Sequence, residues 1–510
     1  MSDKTHRHGS GESYSAIVPA KRSNESQGGP QEVVEGRALT KENAGQPNSY
    51  RTPSRTSGCS GLDRVREAAK GDKQLKFTAL LHHLNVDLLR SSYYSLKRQA
   101  APGVDGVVWR EYGEGLEERL VDLHGRIHRG AYRAKPSRRV WIPKADGRQR
   151  PLGIAALEDK IVQYAAVQVL NQIWEEDFVE FSFGFRPGRS QHDALDALYT
   201  GIVARKVNYI VDLDIRSFFD RVQHDHLERF IRHRIGDHRL VHLILKWVKA
   251  GVMEGGQWFE SKEGTPQGAV ISPVLANLYL HYVLDLWVKA WRKKVARGDM
   301  IAIRYADDAV LGFQYREEAE RFLADLRERL LKFGLELHPE KTRLIEFGRY
   351  AAERRAKRGE GKPETFNFLG FTHICGRNHV TGHFMVYRKT IGKRMAAKLK
   401  DVRQKLCKSL HAPVGDTRRW LQAVVRGYFQ YHAVPRNEQR MKAFRHEVLR
   451  LWWWQLRRRS QRTRWGWNTF MEKLGNQLPE VKVLHPFPEV RFAMNHPQIW
   501  DYIRGKNRVR

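Results

Sequence analysis

The sequence has 510 residues, and its 90 lysines and arginines outnumber 57 acidic residues to give a formal net charge of +33. Such an excess predicts salt-dependent attraction to a polyanion, and nucleic acid is favoured over an anionic membrane surface because no separate basic amphipathic helix is evident. The three cysteines, Cys59, Cys375 and Cys407, form no CxxC pair, which excludes a disulfide framework or multi-cysteine zinc module and fits a reducing, cytoplasmic location.

The first 70 residues are predicted to be a disordered leader. They are rich in Ser, Gly, Asn, Arg and Glu and poor in aromatic residues, a composition that buries too little apolar surface to fold. The opening stretch "MSDKTHRHGSGESYS" also lacks the apolar core of a signal peptide. Regular structure is expected from "FTALLHHLNVDLLRSSYYSLKRQ", where apolar residues recur at helical spacing.

A basic hairpin is predicted next, in "RRVWIPKADGRQRPLGI", where two short strands flank the turn "ADGR". Lys144 and Arg150 lie on either side of this turn, at a spacing that suits both for holding an incoming triphosphate. The alternative is a hairpin whose cations are simply solvated. The amphipathic pattern of "ALEDKIVQYAAVQVLNQIWEEDF" then predicts a long helix.

The segment "NYIVDLDIRSFFD" predicts a strand that runs into a turn and carries Asp214 at its end. Further along, "GTPQGAVISPVLANLYL" offers Gly264, Gln267 and Gly268 as a backbone element suited to lie against a nucleotide, with a helix-capping loop as the alternative. The apolar region that follows is too interrupted for a membrane span. Its polar and helix-breaking residues are Pro273, Asn277, His281 and Asp285.

The segment "MIAIRYADDAVLGF" predicts a hairpin in which two apolar strands flank an acidic turn containing Asp307 and Asp308. A helix in "EEAERFLADLRERLLKFG" and a strand in "TRLIEFG" follow. Strands therefore alternate with helices as far as residue 372, which predicts an α/β domain.

Asp214, Asp307 and Asp308 share one setting, the end of an apolar strand. Burying carboxylates there costs several kcal/mol unless cations neutralise them. Acids at neighbouring strand ends can converge on a pair of Mg2+ ions about 3.5–4 Å apart, which activate a hydroxyl and stabilise a leaving pyrophosphate. The alternative for Asp307 and Asp308 alone is an ordinary hairpin turn, and it is their combination with Asp214 and upstream phosphate-binding residues that favours the metal site.

From Lys389 onward the chain is predicted to be helical, dense in arginine and lysine, and rich in tryptophan, as in "AFRHEVLRLWWWQLRRRSQRTRWGW". One interpretation is a helical bundle with tryptophans in the core and arginines in solvent. The favoured one is a nucleic-acid platform, with cations for phosphates and rings for unpaired bases. The preceding stretch "HICGRNHVTGH" matches no strong zinc-ligand spacing and is predicted to be a hairpin.

The sequence at this point resembles the reverse transcriptases, or maturases, encoded by bacterial group II introns. The matching blocks occur in family order across roughly residues 75 to 475. They are "AAPGVDG", "WIPKADGRQRPLGI", "FSFGFRPGRSQHDAL", "DLDIRSFFDRVQHDHL", "GTPQGAVISPVLANLYLH", "RYADD", "LELHPEKTRLIEFG", "FNFLGFTH" and "RWLQAVVRGYFQYHAVPRN".

The resemblance implies an α/β fold of the right-hand polymerase type, with fingers and palm built on an antiparallel sheet and followed by an all-α, basic thumb or maturase domain. The expected domains are a leader over 1–70, fingers and palm over 71–372, the thumb over 373–475, and a short basic C-terminal tail over 476–510. That tail is a candidate remnant of a DNA-binding segment.

The resemblance also assigns the acidic residues. Asp214, Asp307 and Asp308 correspond to the catalytic, metal-binding triad of the palm with its two Mg2+ ions, and Asp212 supports the strand. Lys144 and Arg150 resemble the fingers residues that hold the triphosphate.

Four further substrate-binding residues follow from the same comparison of motifs. Phe219 matches the residue under the sugar, whose ring collides with a 2′-hydroxyl and favours deoxynucleotides; a plain core phenylalanine beside Phe218 is the alternative. Gln267 resembles the loop residue beside the templating pair, and Tyr305 is expected beneath the primer terminus. Lys341 resembles the lysine that protonates departing pyrophosphate, with an ordinary surface lysine as the alternative.

The expected function is RNA-directed DNA polymerase encoded by a group II intron, which copies intron RNA into cDNA and assists its splicing and mobility. The expected partners are structured intron RNA, a DNA primer or target, and dNTPs, with no membrane partner and an undefined oligomeric state. Because no cysteine follows Cys407, the family's His-Asn-His endonuclease is not expected. Two alternatives stay open: an RNA-binding splicing factor without polymerase activity, and an intron-independent reverse transcriptase in defence or repair.

Overall fold

The computed structural model describes residues 61–143, 149–459, 465–497 and 499. These residues form two compact units. The first contains the described residues up to Arg388 together with those from Phe487 onward, and the second is Lys389–Pro486. Within these described ranges, no helix is both long enough and apolar enough to cross a membrane.

In both units more residues lie in helices than in strands, and α13 to α16 belong to the second unit. In chain order they are α1 (Gly61–Gly71), α2 (Val86–Ser95), α3 (Trp109–Gly113), α4 (Leu116–His128), α5 (Leu157–Asp177), α6 (Gln191–Ala204), α7 (His224–Arg234), α8 (His238–Lys249), α9 (Ser272–Leu280), α10 (Leu286–Lys294), α11 (Arg316–Leu331), α12 (Ala351–Lys357), α13 (Gly392–Lys408), α14 (Val414–His432), α15 (Glu438–Arg459), α16 (Trp467–Lys473) and α17 (Pro488–Asn495). A π-helical turn, His281–Asp285, joins α9 to α10.

The strands form antiparallel or mixed sheets between these helices. They are β1 (Ser137–Pro143), β2 (Gln149–Ile154), β3 (Tyr209–Leu213), β4 (Val252–Glu254), β5 (Gln257–Phe259), β6 (Met300–Tyr305), β7 (Asp308–Phe313), β8 (Arg343–Glu346), β9 (Phe366–Phe368), β10 (Phe371–Arg377) and β11 (Phe384–Thr390). The sheet orders are β2-β1-β4-β5, β6-β7-β3-β8 and β11-β10-β9.

The sheet β6-β7-β3-β8 is antiparallel throughout, so the predicted mixture of helices with antiparallel strands is confirmed. The predicted hairpins are also present, as β1 with β2 and as β6 with β7. The turn of the first hairpin lies outside the described residues.

Helix α5 runs through the core of the first unit. Between Ile161 and Trp174 most of its side chains are buried, including polar Gln163. A helix that is apolar on nearly every face must be surrounded by other elements, and α1 and α2 both pack against it. This is why the long apolar helix in the sequence belongs to the interior.

Helix α1 corrects part of the predicted leader. Residues 61–70 were expected to be disordered, but Val65 and Ala69, four residues apart on one face, are buried in the core of the first unit. The Arg66 guanidinium also donates to Glu176 at 2.8 Å. Two small apolar side chains on one helical face are enough to hold α1 in place because the apolar surface of α5 covers them. Residues 1–60 lie outside the described ranges.

The first unit extends beyond the predicted boundary at residue 372, because β10 and most of β11 belong to it. It also includes α17, within the predicted C-terminal tail. Arg491 of α17 is buried and donates to Asp196 of α6 at 2.9 Å, and Arg388 of β11 donates to the same carboxylate at 2.8 Å. The tail thus contributes a packed helix to the first unit.

The second unit is a helical bundle from α13 to α16. Its core contains Val425, Phe444, Leu449 and Trp452, all essentially inaccessible to solvent. The expected all-α domain over 373–475 is therefore wrong at its start, where the end of β10 and the whole of β11 are strands. From Gly392 onward, the regular elements of the described residues in this unit are helical.

Candidate active site

The acidic turn lies at the tip of the β6–β7 hairpin. Tyr305 pairs with Asp308 across the hairpin, leaving Ala306 and Asp307 as the turn. In the neighbouring strand, Leu213 of β3 pairs with Ala309 of β7. Asp214 and Asp308 therefore occupy adjacent strand ends, as the sequence predicts.

The carboxyl group of Asp307 has a shifted pKa. Burial raises the pKa of its carboxyl group, and the negative charge of Asp214 raises it further. The guanidinium groups of Arg150 and Arg304 act in the opposite direction. Asp307, Asp214 and Arg150 are thus close enough to interact electrostatically, although they are far apart in the sequence.

Lys341 provides the positive charge nearest to Asp214. Its Nζ donates to Asp214 Oδ2 at 2.9 Å. One residue pair away, Arg343 of β8 lies opposite Asp212 of β3 and donates to it at 3.4 Å. Burial, with a smaller contribution from Asp214, still raises the pKa of Asp212 to about 6.

Asp214 and Asp307 are the candidate ligands for a divalent cation. No set of three His, Cys, Asp or Glu side chains is grouped to hold a metal within the described part of the chain. Asp214 and Asp307 nevertheless offer carboxylate oxygens of mutually repelling charge, the donor type that Mg2+ binds. Mg2+ usually keeps only one or two protein carboxylates and completes its octahedron with water and substrate phosphates. The residues therefore fit a cation that binds together with a phosphate substrate.

Strained backbone surrounds the acidic turn. Ala306 has φ of 58°, Phe185 has φ of 58° and Ser217, three residues after Asp214, has φ of 47°. Residues other than glycine rarely adopt this left-handed backbone conformation, and those that do are concentrated at functional sites. Gly184 packs so closely that a Cβ there would lie 2.2 Å from the Ala306 nitrogen, so only glycine fits beneath the turn.

Gly184 and Arg304 were not identified as site residues from the sequence. Arg304 is 1% exposed and donates to the Ala306 carbonyl at 2.9 Å. The available signal was an arginine within the apolar strand "MIAIRY", since a buried cation needs dedicated partners. Gly184 lies within "FSFGF", and nothing in this local sequence indicates its contact with the distant Ala306.

The remaining predicted site residues are distributed around the same unit. Phe219 is half-buried beside the core, with its ring centroid 5.3 Å from that of Phe218. The Gln267 carbonyl accepts from the Gly153 N–H at 2.6 Å, which joins the predicted nucleotide loop to β2. Tyr305 is half-buried, with its ring centroid 6.5 Å from that of Phe185, and Lys144 lies outside the described residues.

Comparison with known proteins identifies the class. Residues 142–373, which include the acidic hairpin and β3, match the family model of reverse transcriptase (RNA-dependent DNA polymerase). This part of the chain is a reverse transcriptase domain with a polymerase fold, and such a domain implies dependence on divalent metal.

Two curated proteins are similar to this chain over less than half of its length. The chain is 38% identical over 247 residues to protein YkfC of Escherichia coli, covering 42% of this chain and 64% of the relative. It is 33% identical over 242 residues to the group II intron-encoded protein LtrA of Lactococcus lactis, covering 46% of this chain and 40% of the relative. The chain is thus similar to a protein encoded by a group II intron, and it spans less than two thirds of the length of each of these relatives.

Proposed function

We propose that this protein is an RNA-directed DNA polymerase that copies the RNA of a group II intron and assists that RNA in splicing and mobility. The observation that carries the proposal is the meeting of Asp307 and Asp214 at adjacent strand ends, inside a domain that matches reverse transcriptases. In this proposal the first unit supplies fingers and palm and the second supplies the thumb.

The proposed reaction is in-line attack of a primer 3′-hydroxyl on the α-phosphate of a dNTP. A bond forms between that oxygen and phosphorus, pyrophosphate leaves, and no covalent intermediate with the enzyme is needed. Asp214, Asp307 and Asp308 would bind two Mg2+ ions, which supply activation of the hydroxyl and charge stabilisation of the leaving group.

The chain's own residues then have distinct roles. Arg150, whose charge reaches Asp307, and Lys144 would hold the triphosphate. Lys341, which donates to Asp214, would protonate the pyrophosphate as it leaves. Each role follows from a cation placed where negative charge develops.

Three other residues would position the reacting strands. Phe219 would lie beneath the sugar, Gln267 beside the templating pair and Tyr305 under the primer terminus. The support for Gln267 is its carbonyl bond to β2, which links this loop to the hairpin that carries Arg150.

The second unit offers a surface suited to RNA. Trp454 is 38% exposed, and the guanidinium carbons of Arg403 and Arg458 lie 5.5 Å and 4.6 Å from its ring centroid. Trp452, two residues earlier, is fully buried. Trp452 agrees with the interpretation that places tryptophans in a helical core. For Trp454 with its two arginines, we propose contact with intron RNA by stacking and phosphate binding.

Primer extension on an RNA template tests the polymerase. We expect Asp307→Asn to lower the rate at least about 10³-fold, since a metal-bound carboxylate stabilises charge in the transition state. Asp212→Asn, in the same sheet and paired with Arg343, is the matched control and should stay within about tenfold. Equal activity of Asp307→Asn and the unmodified protein would reject the proposal.

Co-expression with the flanking RNA separates the alternatives. If the protein is a splicing factor without polymerase activity, splicing occurs but no cDNA forms even with intact Asp307. If it is a reverse transcriptase independent of introns, cDNA forms but no splicing occurs. The RNA that flanks the gene then also lacks intron domains. Our proposal requires both products, with Asp307→Asn removing only the cDNA.

A further inference from the structure

Arg304 is a buried cation directly beside the acidic turn. It lies on β6, three residues before Asp307, and is 1% exposed. Its strand neighbours are apolar, so its charge and its five N–H groups need partners from other elements.

Every N–H of this guanidinium group has an acceptor. Nε and Nη2 donate to the two oxygens of Asp285 at 2.7 Å and 2.6 Å. Nη2 also donates to Ser182 Oγ at 2.6 Å, and Nη1 donates to Asn277 Oδ1 at 3.1 Å and to the Ala306 carbonyl at 2.9 Å. Lysine has the charge but only three donors and no planar fork, so it cannot reproduce this set.

The partners come from elements that meet beneath the turn. Asp285 ends the π-helical turn between α9 and α10, and the extra residue in such a turn redirects side chains at functional sites. Asn277 of α9 also donates to the Gly184 carbonyl at 2.7 Å. The segment under the turn and the turn itself are therefore tied to one buried cluster.

We infer that Arg304 is a positioning residue for catalysis: its bond to the Ala306 carbonyl fixes the left-handed conformation that presents Asp307 to the reaction. Ala306 has a Cβ and disfavours φ of 58°, so an outside contact must hold it there. The inference rests on the proposed polymerase function and adds a residue to it.

A second buried cluster in the same unit provides a matched control. Asp196, like Asp285, is completely buried and accepts from buried arginines, here Arg388 and Arg491. Asp196 lies on α6, and its described ion pairs are with Arg388 of β11 and Arg491 of α17. Asp285→Asn and Asp196→Asn therefore remove equivalent charges, but only the first disturbs the support of the turn.

The experiment compares Asp285→Asn, Arg304→Lys and Asp196→Asn in the full-length protein. Three quantities are measured: the melting temperature, Mn2+ affinity by electron paramagnetic resonance, and kcat with KM for dNTP in primer extension. We expect Asp285→Asn and Arg304→Lys to weaken Mn2+ binding about fivefold or more and to lower kcat about 10- to 100-fold, with KM changed less than about threefold. Asp196→Asn should melt at least as early yet keep Mn2+ affinity and kcat within about twofold.

Two outcomes overturn the inference. In one, all three variants lose kcat and Mn2+ affinity in proportion to their melting temperatures; in the other, none does. If Asp285→Asn and Arg304→Lys fail to fold, Ser182→Ala removes a single partner of Arg304 and should show the same effects at about two- to tenfold; no change would reject the inference. Absence of polymerase activity in the unmodified protein would instead reject the proposed function.

Discussion

Phe218 and Phe219 are adjacent in sequence and differ in burial. Phe218 is 2% exposed, whereas Phe219 lies at the margin of the core. We predict that Phe219→Ala raises incorporation of ribonucleotides relative to deoxynucleotides by about 10- to 100-fold, because the steric block to the 2′-hydroxyl is lost. Competition between the two nucleotides in primer extension measures this ratio.

The control for this prediction is Phe218→Ala. It should lower the free energy of unfolding by about 3–5 kcal/mol through the cavity that it leaves, without altering sugar selectivity in the protein that remains folded. If both variants alter selectivity equally, the ring of Phe219 is not the discriminating group.

In the proposed metal site, Lys341 would compete with a cation for Asp214, since its Nζ lies 2.9 Å from Oδ2 and its side chain is half exposed. Exposed ion pairs contribute at most about 1 kcal/mol. We therefore predict that Lys341→Met lowers the Mg2+ concentration at half-maximal activity by about two- to fivefold, while the maximal rate falls because a proton donor is lost. A Mg2+ titration of primer extension measures both.

Arg343→Met is the corresponding control, because Arg343 forms its ion pair with Asp212 and not with Asp214. It should leave the Mg2+ requirement nearly unchanged. A higher Mg2+ requirement in Lys341→Met would contradict this account of the lysine.

At the scale of secondary-structure elements, Asp159 joins α5 to the chain before β1. Its buried carboxylate accepts from the Tyr132 hydroxyl and from the Lys135 N–H at 3.1 Å. Burial raises its pKa to about 6 despite these bonds. The folded state therefore binds a proton more tightly than the unfolded chain, and stability from this group declines as pH rises from about 4 to about 6.

We predict that Asp159→Asn removes this loss of stability with rising pH, because the amide does not titrate. Its stability relative to that of the unmodified protein should therefore be higher at pH 7.5 than at pH 4, by about 2–3 kcal/mol in the free energy of unfolding. Urea unfolding at several pH values measures the difference. Asp122→Asn, at an exposed position of α4, should show no such trend; a trend of opposite sign for Asp159→Asn would refute the argument.

Local patterns in the sequence predicted elements well where the hydrophobic period was strong. The hairpin around Asp307, the strand before Asp214 and helix α5 all occur where expected. Helix α1 was missed because its short apolar face makes sense only against α5, which is distant in sequence. The Arg304 cluster was missed for the same reason, since Asp285 and Ser182 reach it through tertiary contacts that no local pattern encodes.

At the scale of the whole molecule, the net charge of +33 raises the question of which cations contact RNA. Many arginines are already committed to acids, as Arg419 is to Asp416 and Arg450 to Glu447. Arg403 and Arg458 instead flank exposed Trp454. We expect the second pair to contribute more to RNA affinity, although both pairs contribute equally to net charge.

We therefore predict that Arg403→Gln with Arg458→Gln weakens binding to intron RNA and reduces the slope of log affinity against log salt by about 1.4, at about 0.7 for each lost phosphate contact. Filter binding at several salt concentrations measures the slope. The double variant Arg419→Gln with Arg450→Gln removes the same charge from ion pairs and should change the slope far less. Equal changes would indicate a general effect of charge.

Helix α17 packs in the first unit although the second unit, Lys389–Pro486, precedes it in the chain. Within the described residues, the polypeptide therefore passes between the units twice, near residues 388 and 486. A protease that cuts at one crossing leaves the bundle tethered through the other, so two cleavages are needed to liberate it. During translation, moreover, Asp196 must wait for nearly three hundred further residues before Arg491 emerges from the ribosome to join it.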